Sequence, residues 1–275
     1  MIISASRRTD IPAFYSEWFF ERLKDTYVQV RNPFNYSQVK NISLKEDDVD
    51  CIVFWSKNPA PMLGRLKELE KYAYYFQYSL NPYDNDIEVK LPPKEELIKS
   101  FKILSEELSP KRVIWRYDPV LLNNKYTINY HIEKFSLMAS MLKGYTKKVI
   151  FSFLDFYKKI EKNLAHNNIK EITEEDRDIL AEAFSRAARE NNLLIESCAE
   201  NIDQKKHNIK PGCCIDPVLV NELSKRDIKY TKDKNQRTSC GCAISQDIGE
   251  YNTCLNNCIY CYASIHSLYS RSSSA

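Results

Sequence analysis

Only five of the 275 residues are glycine, at positions 64, 144, 212, 241 and 249, and they build neither a G-x-G-x-x-G nor a P-loop pattern. A Rossmann dinucleotide site and a nucleotide triphosphatase are therefore unsupported. No apolar run approaches the roughly 20 residues needed to cross a bilayer, so no membrane association is expected. The opening stretch, MIISASRRTD, meets two arginines without the longer apolar region of a signal peptide, which leads us to expect a cytoplasmic protein. An excess of one charge is also missing: 40 Lys and Arg against 37 Asp and Glu leave a net +3, too weak a field to argue for nucleic acid as a partner. The four histidines, His131, His166, His207 and His266, fall at no metal-binding spacing and read as structural or surface residues; His266 is the one near a cysteine, Cys261.

What remains is ordinary globular composition, 43% hydrophobic and 28% charged, in a chain long enough for one sizeable core. Short apolar, β-branched and aromatic runs read as buried strands at residues 2–6, 51–55, 73–80, 112–117, 149–154 and 193–197. Between them lie helical patterns over 95–108, 128–142 and 174–191, the last opened by Thr173 with Asp176 three residues on, close to a capping box. Strand followed by helix, repeated, implies parallel strands and right-handed crossovers. The fold expected is α/β, a single-domain full or partial (β/α) barrel. The alternating aromatics of YAYYFQY fit a core strand better than a base-stacking platform.

Barrels of this kind place their chemistry on the loops after the strands. Those positions hold Arg7, Arg8 and Asp10, then Lys57 and Asn58, Asn81, Arg116 and Asp118, Asp155, and finally Cys198 and Glu200. For each, a solvated or salt-bridged loop residue is the plain alternative.

Eight of the nine cysteines lie toward the C-terminus, and in a reducing compartment clustered thiols are metal ligands more often than disulfides. Cys254, Cys258 and Cys261, in the run TCLNNCIYCYA, supply three thiolates on one tight loop, one short of a closed zinc site. An iron–sulfur cube held by three protein thiolates leaves one iron open to another ligand. Cys198, Cys214, Cys240 and Cys242 make a plausible second set, with Cys213 able to replace Cys214; a second iron–sulfur cluster, structural zinc and free thiols are the three readings. Cys51 begins an apolar strand and reads as a small core residue.

The C-x3-C-x2-C loop, with Tyr260 before its third cysteine, resembles that of radical S-adenosylmethionine enzymes. That resemblance implies a [4Fe-4S] cluster on Cys254, Cys258 and Cys261 and S-adenosylmethionine on the open iron, cleaved to a 5′-deoxyadenosyl radical, with Tyr260 against the adenine. It implies an electron donor such as a flavodoxin or ferredoxin, and a small-molecule or otherwise unknown substrate. In that superfamily the loop follows the first strand, near the N-terminus. Here it lies near the other end, which a circular permutation explains: residues 247–253 become the first strand, 262–270 its helix, and residues 2–6 the next strand. Residues 1–200 would then be the barrel body, 201–246 a Cys-containing connection over its mouth, and 247–275 the permuted first unit. The superfamily's glycine-rich segment after the second strand is absent from SASRRTD, so cofactor binding must be built otherwise.

Over nearly its full length the chain is also similar to the DUF1848 family, through SRRTDIPAFY, VFWSKNP, VIWRYDP and YNTCLNNCIYCYA. That family is described as carrying a radical-SAM-like cysteine cluster at its C-terminus, and the likeness implies no substrate. Together these readings make Arg7, Arg8, Lys57 and Arg116 candidates for cofactor carboxylate or phosphate groups, with Asn58 beside them and Asp10 and Asp118 to orient them. A non-enzymatic iron–sulfur or zinc protein is the alternative, and a nucleic-acid repair lyase a further one, against which the near-neutral charge counts.

Overall fold

The computed structural model describes residues 1–264. In chain order its strands are β1 (Ile2–Ala5), β2 (Tyr27–Asn32), β3 (Asn35–Ser43), β4 (Cys51–Ser56), β5 (Tyr74–Ser79), β6 (Val113–Val120), β7 (Lys148–Phe153), β8 (Leu194–Ser197), β9 (Lys210–Pro211) and β10 (Gln246–Asp247). The α-helices are α1 (Ile11–Phe14), α2 (Ser16–Asp25), α3 (Ala60–Leu63), α4 (Lys94–Leu108), α5 (Ile128–Leu142), α6 (Glu161–His166), α7 (Glu174–Glu190) and α8 (Pro217–Ser224). All six sequence-read strands and all three helices are present, with ends moved by a few residues at most. The Thr173–Asp176 capping box is complete, each side chain bonded to the other's backbone N–H.

Eight strands form one parallel sheet in the order β10-β1-β4-β5-β6-β7-β8-β9, and β2 pairs with β3 in a separate antiparallel hairpin. From β1 to β9 the order never reverses, so successive right-handed crossovers lay their helices on the same face, while β10, last in the chain, returns to the edge beside β1. Alternate strand residues on that face, among them Ile3, Phe54, Phe76, Trp115, Phe151 and Ile195, join Phe19, Phe101, Phe135 and Phe184 of the helices in the main core. The other face is buried too. Ile2, Cys51, Val53, Tyr75, Ile114 and Ile150 pack against Cys214, Ile215, Leu219, Val220, Cys240 and Cys242. Burial on both faces explains why these strands read as continuous apolar runs.

The segment on that second face is the Cys-containing connection. Its α8 reaches residues at or just before the strand starts, through Arg226 to Asp50 at 2.5 Å and Asp216 to Lys148 at 3.1 Å. Farther on, Arg237 pairs with Asp155, just beyond the end of β7, at 3.3 Å. The connection thus runs along the face of the sheet from one end of the strands to the other.

The strand expected over 247–253 is instead the two-residue β10, parallel to β1 with Ile3 opposite Gln246 and Ser4 opposite Asp247. It stops because the Asp247 carboxylate takes over: it accepts from Ser4 Oγ at 2.9 Å, Ser6 Oγ at 2.5 Å, and the amides of Arg7 and Gly249 at 2.8 and 3.0 Å. The helix expected over 262–270 lies, from residue 265 on, outside the described residues, as does His266. No helix among the described residues is long and apolar enough to cross a membrane.

Candidate thiol sites at the strand ends

The loop that leaves β10 is held from four sides. Asn256 donates its side-chain amide to Asp10 Oδ2 at 3.1 Å, and Tyr15 donates its hydroxyl to the Thr253 carbonyl at 2.6 Å. Backbone bonds join Ile259 N to Ile87 O at 3.0 Å and Lys90 N to Asn256 O at 3.1 Å, with Glu88 opposite Cys258 in an antiparallel bridge. Asn163 of α6 reaches the Ile259 carbonyl at 3.3 Å. Asn257 adopts the left-handed conformation (φ 54°), one that asparagine tolerates better than most side chains, which lets the loop turn between Cys254 and Cys258. The three thiols lie within electrostatic reach of one another. Burial pushes Cys254 up to about 12, with the Asp10 charge adding to it, and holds Cys258 well above the ordinary thiol value.

Tyr260 is buried in this loop. Its hydroxyl donates to Glu88 Oε1 at 2.5 Å, and its ring lies 5.5 Å from Lys57 Nζ and 6.1 Å from the Tyr83 ring. Glu88 is 1% exposed and also receives Lys57 at 2.8 Å and Lys94 at 2.5 Å. Burial opposes its ionisation, but the two ammonium groups outweigh that and hold its pKa down at about 2. Neither Glu88, Lys94 nor Asn256 was singled out from sequence. Asn256 carried a faint signal, being a polar residue inside the cysteine loop, whereas Glu88 and Lys94 sit among several similar charges.

The second thiol set assembles around Cys198, which follows β8. Gly212 permits it: a Cβ there would lie 2.6 Å from the Ser197 carbonyl oxygen, so only glycine lets residues 212–214 pass this close. Cys214 Sγ then sits 3.8 Å from Cys198 Sγ, and Cys242 Sγ accepts the Ile215 amide at 3.4 Å. Cys213 lies with them, its Sγ 3.0 Å from both the Ile215 and the Gly241 carbonyl oxygens. A thiol donates to such oxygens and a thiolate is repelled by them, so Cys213 keeps its proton. Its hydrogen bond to Cys242, together with burial, pushes its pKa up. The same contact and one from Cys214 lower Cys242, and a hydrogen bond from Cys242 brings Cys240 down to about 7 against its burial. Cys198, Cys214, Cys240 and Cys242 are thus gathered in one place, with Cys213 beside them. Cys51 lies in the core, as read, and burial pushes it up to about 12.

The charged residues divide between the two sites. Lys57 and Glu88 flank Cys258. Arg116 and Arg7 go to the second set: Arg116 Nη1 donates to Cys214 Sγ at 2.5 Å, and Arg7 feels the Cys242 and Cys214 sulfurs. Asp118 receives Arg116 at 2.5 and 3.2 Å and also the Ser152 hydroxyl, and these contacts outweigh its burial and hold its carboxyl below the usual range. Asn81 joins the sites, exchanging 2.8 Å bonds in both directions with the Asp118 backbone and reaching Tyr260 and Glu88 at 3.2 Å.

Asp10 is a clamp in this structure, accepting from the Ala13 and Lys57 amides, Ser56 and Asn256 at 2.7–3.1 Å; burial raises its pKa against those bonds. Asn58 accepts the Ala60 amide at 3.3 Å at the start of α3. Arg8 spans the Gly249 carbonyl at 3.4 Å and the Tyr251 ring at 5.2 Å, beside the cysteine loop. Asp155 pairs with Arg237, and buried Glu200, accepting the Phe153 amide at 3.1 Å, has its pKa raised by burial to about 7.

Among the described residues no three His, Cys, Asp or Glu side chains are placed to hold a single metal ion. The all-thiol donor sets, three sulfurs on one loop and four in one pocket, suit an iron–sulfur cluster as they suit zinc. A bound iron replaces the proton that burial otherwise keeps on such sulfurs.

A protein-family model described as "Domain of unknown function (DUF1848)" matches residues 2–263, and the chain belongs to that family. No curated protein and no solved structure matches it.

Proposed function

We propose that this member of the DUF1848 family is an iron–sulfur enzyme of the radical S-adenosylmethionine type acting on an unidentified substrate. Cys254, Cys258 and Cys261 would hold a [4Fe-4S] cluster with one open iron, and Cys198, Cys214, Cys240 and Cys242 a second cluster. The observation that carries the reading is the loop itself: three thiols leaving the strand that pairs in parallel with β1, at the strand ends, where Asn81 also ties the second thiol set. The unreversed strand order supports reading the sheet as a (β/α) barrel whose first strand, β10, comes last in the chain.

When bound, the first cluster supplies one electron for reductive cleavage of S-adenosylmethionine. The protein's own contribution is positioning. Glu88 and Asp10 hold the cysteine loop and the ends of β1 and β4 in one frame, and Lys57 and Arg8 beside that loop, with Asn58 following Lys57 in the chain, would be the polar groups for the cofactor. The Tyr260 hydroxyl is committed to Glu88, leaving its ring as the part available to an adenine.

Anaerobic reconstitution with iron and sulfide, with iron counting and assay of 5′-deoxyadenosine after reduction, tests this. The wild type should release it, and the Cys254, Cys258, Cys261 triple-Ala variant should not while retaining about four irons per chain. Full iron with no release from the wild type would leave an iron–sulfur protein without this activity. Zinc in place of iron would remove the reading altogether.

A further inference from the structure

In the second thiol set a guanidinium bonds directly to a sulfur, Arg116 Nη1 to Cys214 Sγ. Arg116 is 4% exposed; besides its bond to Cys214 Sγ, its guanidinium lies 5.2 Å from the centre of the Trp55 ring. Arg7 lies 5.1 Å from the same ring. The Trp55 indole N–H is buried without a partner among the described residues. The opposing charges nearby are Asp118, which holds Arg116, Asp247, whose charge acts on Arg7, Asp155, which pairs with Arg237, and Glu196, which accepts the Cys213 amide at 3.4 Å. Arg237 adds a third cation, 3.9 Å from Cys198 Sγ. Beside Cys258, Lys57 bonds to Glu88 rather than to a sulfur.

Resting on the reading of Cys198, Cys214, Cys240 and Cys242 as a cluster site, we propose that Arg116, with Arg7 beside the same tryptophan ring, sets the reduction potential of that cluster by raising it. Reduction adds one electron, and so one negative charge, to a four-thiolate cluster. A guanidinium N–H on a ligand sulfur in a buried site favours the more negative state, because the hydrogen bond is charge-assisted and little water screens it. Arg7 acts through charge alone and contributes less. Asp118 orients Arg116, keeping its fork turned toward Cys214.

The test is a potentiometric titration of the reconstituted full chain followed by electron paramagnetic resonance. Wild type is compared with Arg116→Gln, Arg116→Lys and Arg7→Gln, and the second cluster's signal is identified by its loss in Cys198→Ala and Cys240→Ala. Arg116→Gln is expected to lower the reduced fraction of that cluster at least tenfold at a given poise, equivalent to about 59 mV for one electron. Arg7→Gln should shift it the same way by less, Arg116→Lys should recover part of the loss, and the first cluster's midpoint should not move. An unchanged second midpoint in both Gln variants, with the signal present, overturns the inference and leaves the cluster assignment standing. If Arg116→Gln does not fold, Arg7→Gln decides alone. If no second signal exists and Cys198→Ala and Cys240→Ala leave the iron content unchanged, the cluster assignment fails and the inference falls with it.

Discussion

Replacing Glu88 by Gln keeps the side chain's shape and removes the charge on which Lys57 and Lys94 close, so its cost can be worked from the structure. Ionised Glu88 has a pKa of about 2 against an ordinary 4.5, a gap of 4.5 − 2 = 2.5. At 1.36 kcal/mol per pKa unit, the folded state gains about 3 kcal/mol from the ionised carboxyl. Glu88 and Lys57 are both largely out of water, with side chains 1% and 14% exposed, so breaking the pair also strands a buried ammonium group. We expect Glu88→Gln to lose about 3–5 kcal/mol at pH 7, measured by urea denaturation. The sign of the pH dependence follows from the depressed pKa: the contribution is fully present above 4.5 and disappears as pH falls toward 2. The gap between wild type and variant should therefore narrow below pH 4.5. A loss under about 1 kcal/mol at pH 7, or a gap that stays constant down to pH 3, would refute the account of Glu88 as the charged anchor of the cysteine loop.

His131 is fully buried between Tyr117 OH and the Leu121 carbonyl, each at 2.8 Å, and burial lowers its pKa to about 4. The neutral ring is the stable form, so its contribution is complete above pH 6.5 and lost between 6.5 and 4; an imidazole NMR titration with a midpoint near 6.5 in the folded protein would contradict this. Gly249→Ala would put a methyl group 2.2 Å from Ser6 Oγ and 2.6 Å from Ser6 Cβ, where β10 leaves the sheet, and should cost about 1–3 kcal/mol in urea denaturation. Gly64→Ala, with nothing within 4 Å, is the control and should be close to neutral; equal losses in the two variants would refute the crowding argument.

The sequence alone determined strands β1 and β4 to β8, the three long helices and the cysteine loop, because each is written in neighbouring residues. Period-2 and period-3.6 patterns need only a short window, a capping box spans four residues, and C-x3-C-x2-C is local by definition. The β2–β3 hairpin was missed. Its strands are largely exposed, and their core face is short, Val28 and Ile42 being the residues buried in the main core.

The tertiary structure alone decided which polar groups meet. Tyr260 and Glu88 are 172 positions apart, Asn256 and Asp10 246, and no local pattern distinguishes Glu88 from the other acidic residues around it. It likewise gave Cys213 and Cys214 different surroundings. Adjacent side chains point apart, and only the packing of residues 213–215 beside 241–243 sets one sulfur on two carbonyl oxygens and the other on Cys198 and Arg116. It set Arg7 and Arg116, both candidates for a cofactor carboxylate or phosphate, beside the second thiol set. A charged side chain announces that it needs a partner; which partner it finds depends on how the strands that carry it are ordered in the sheet.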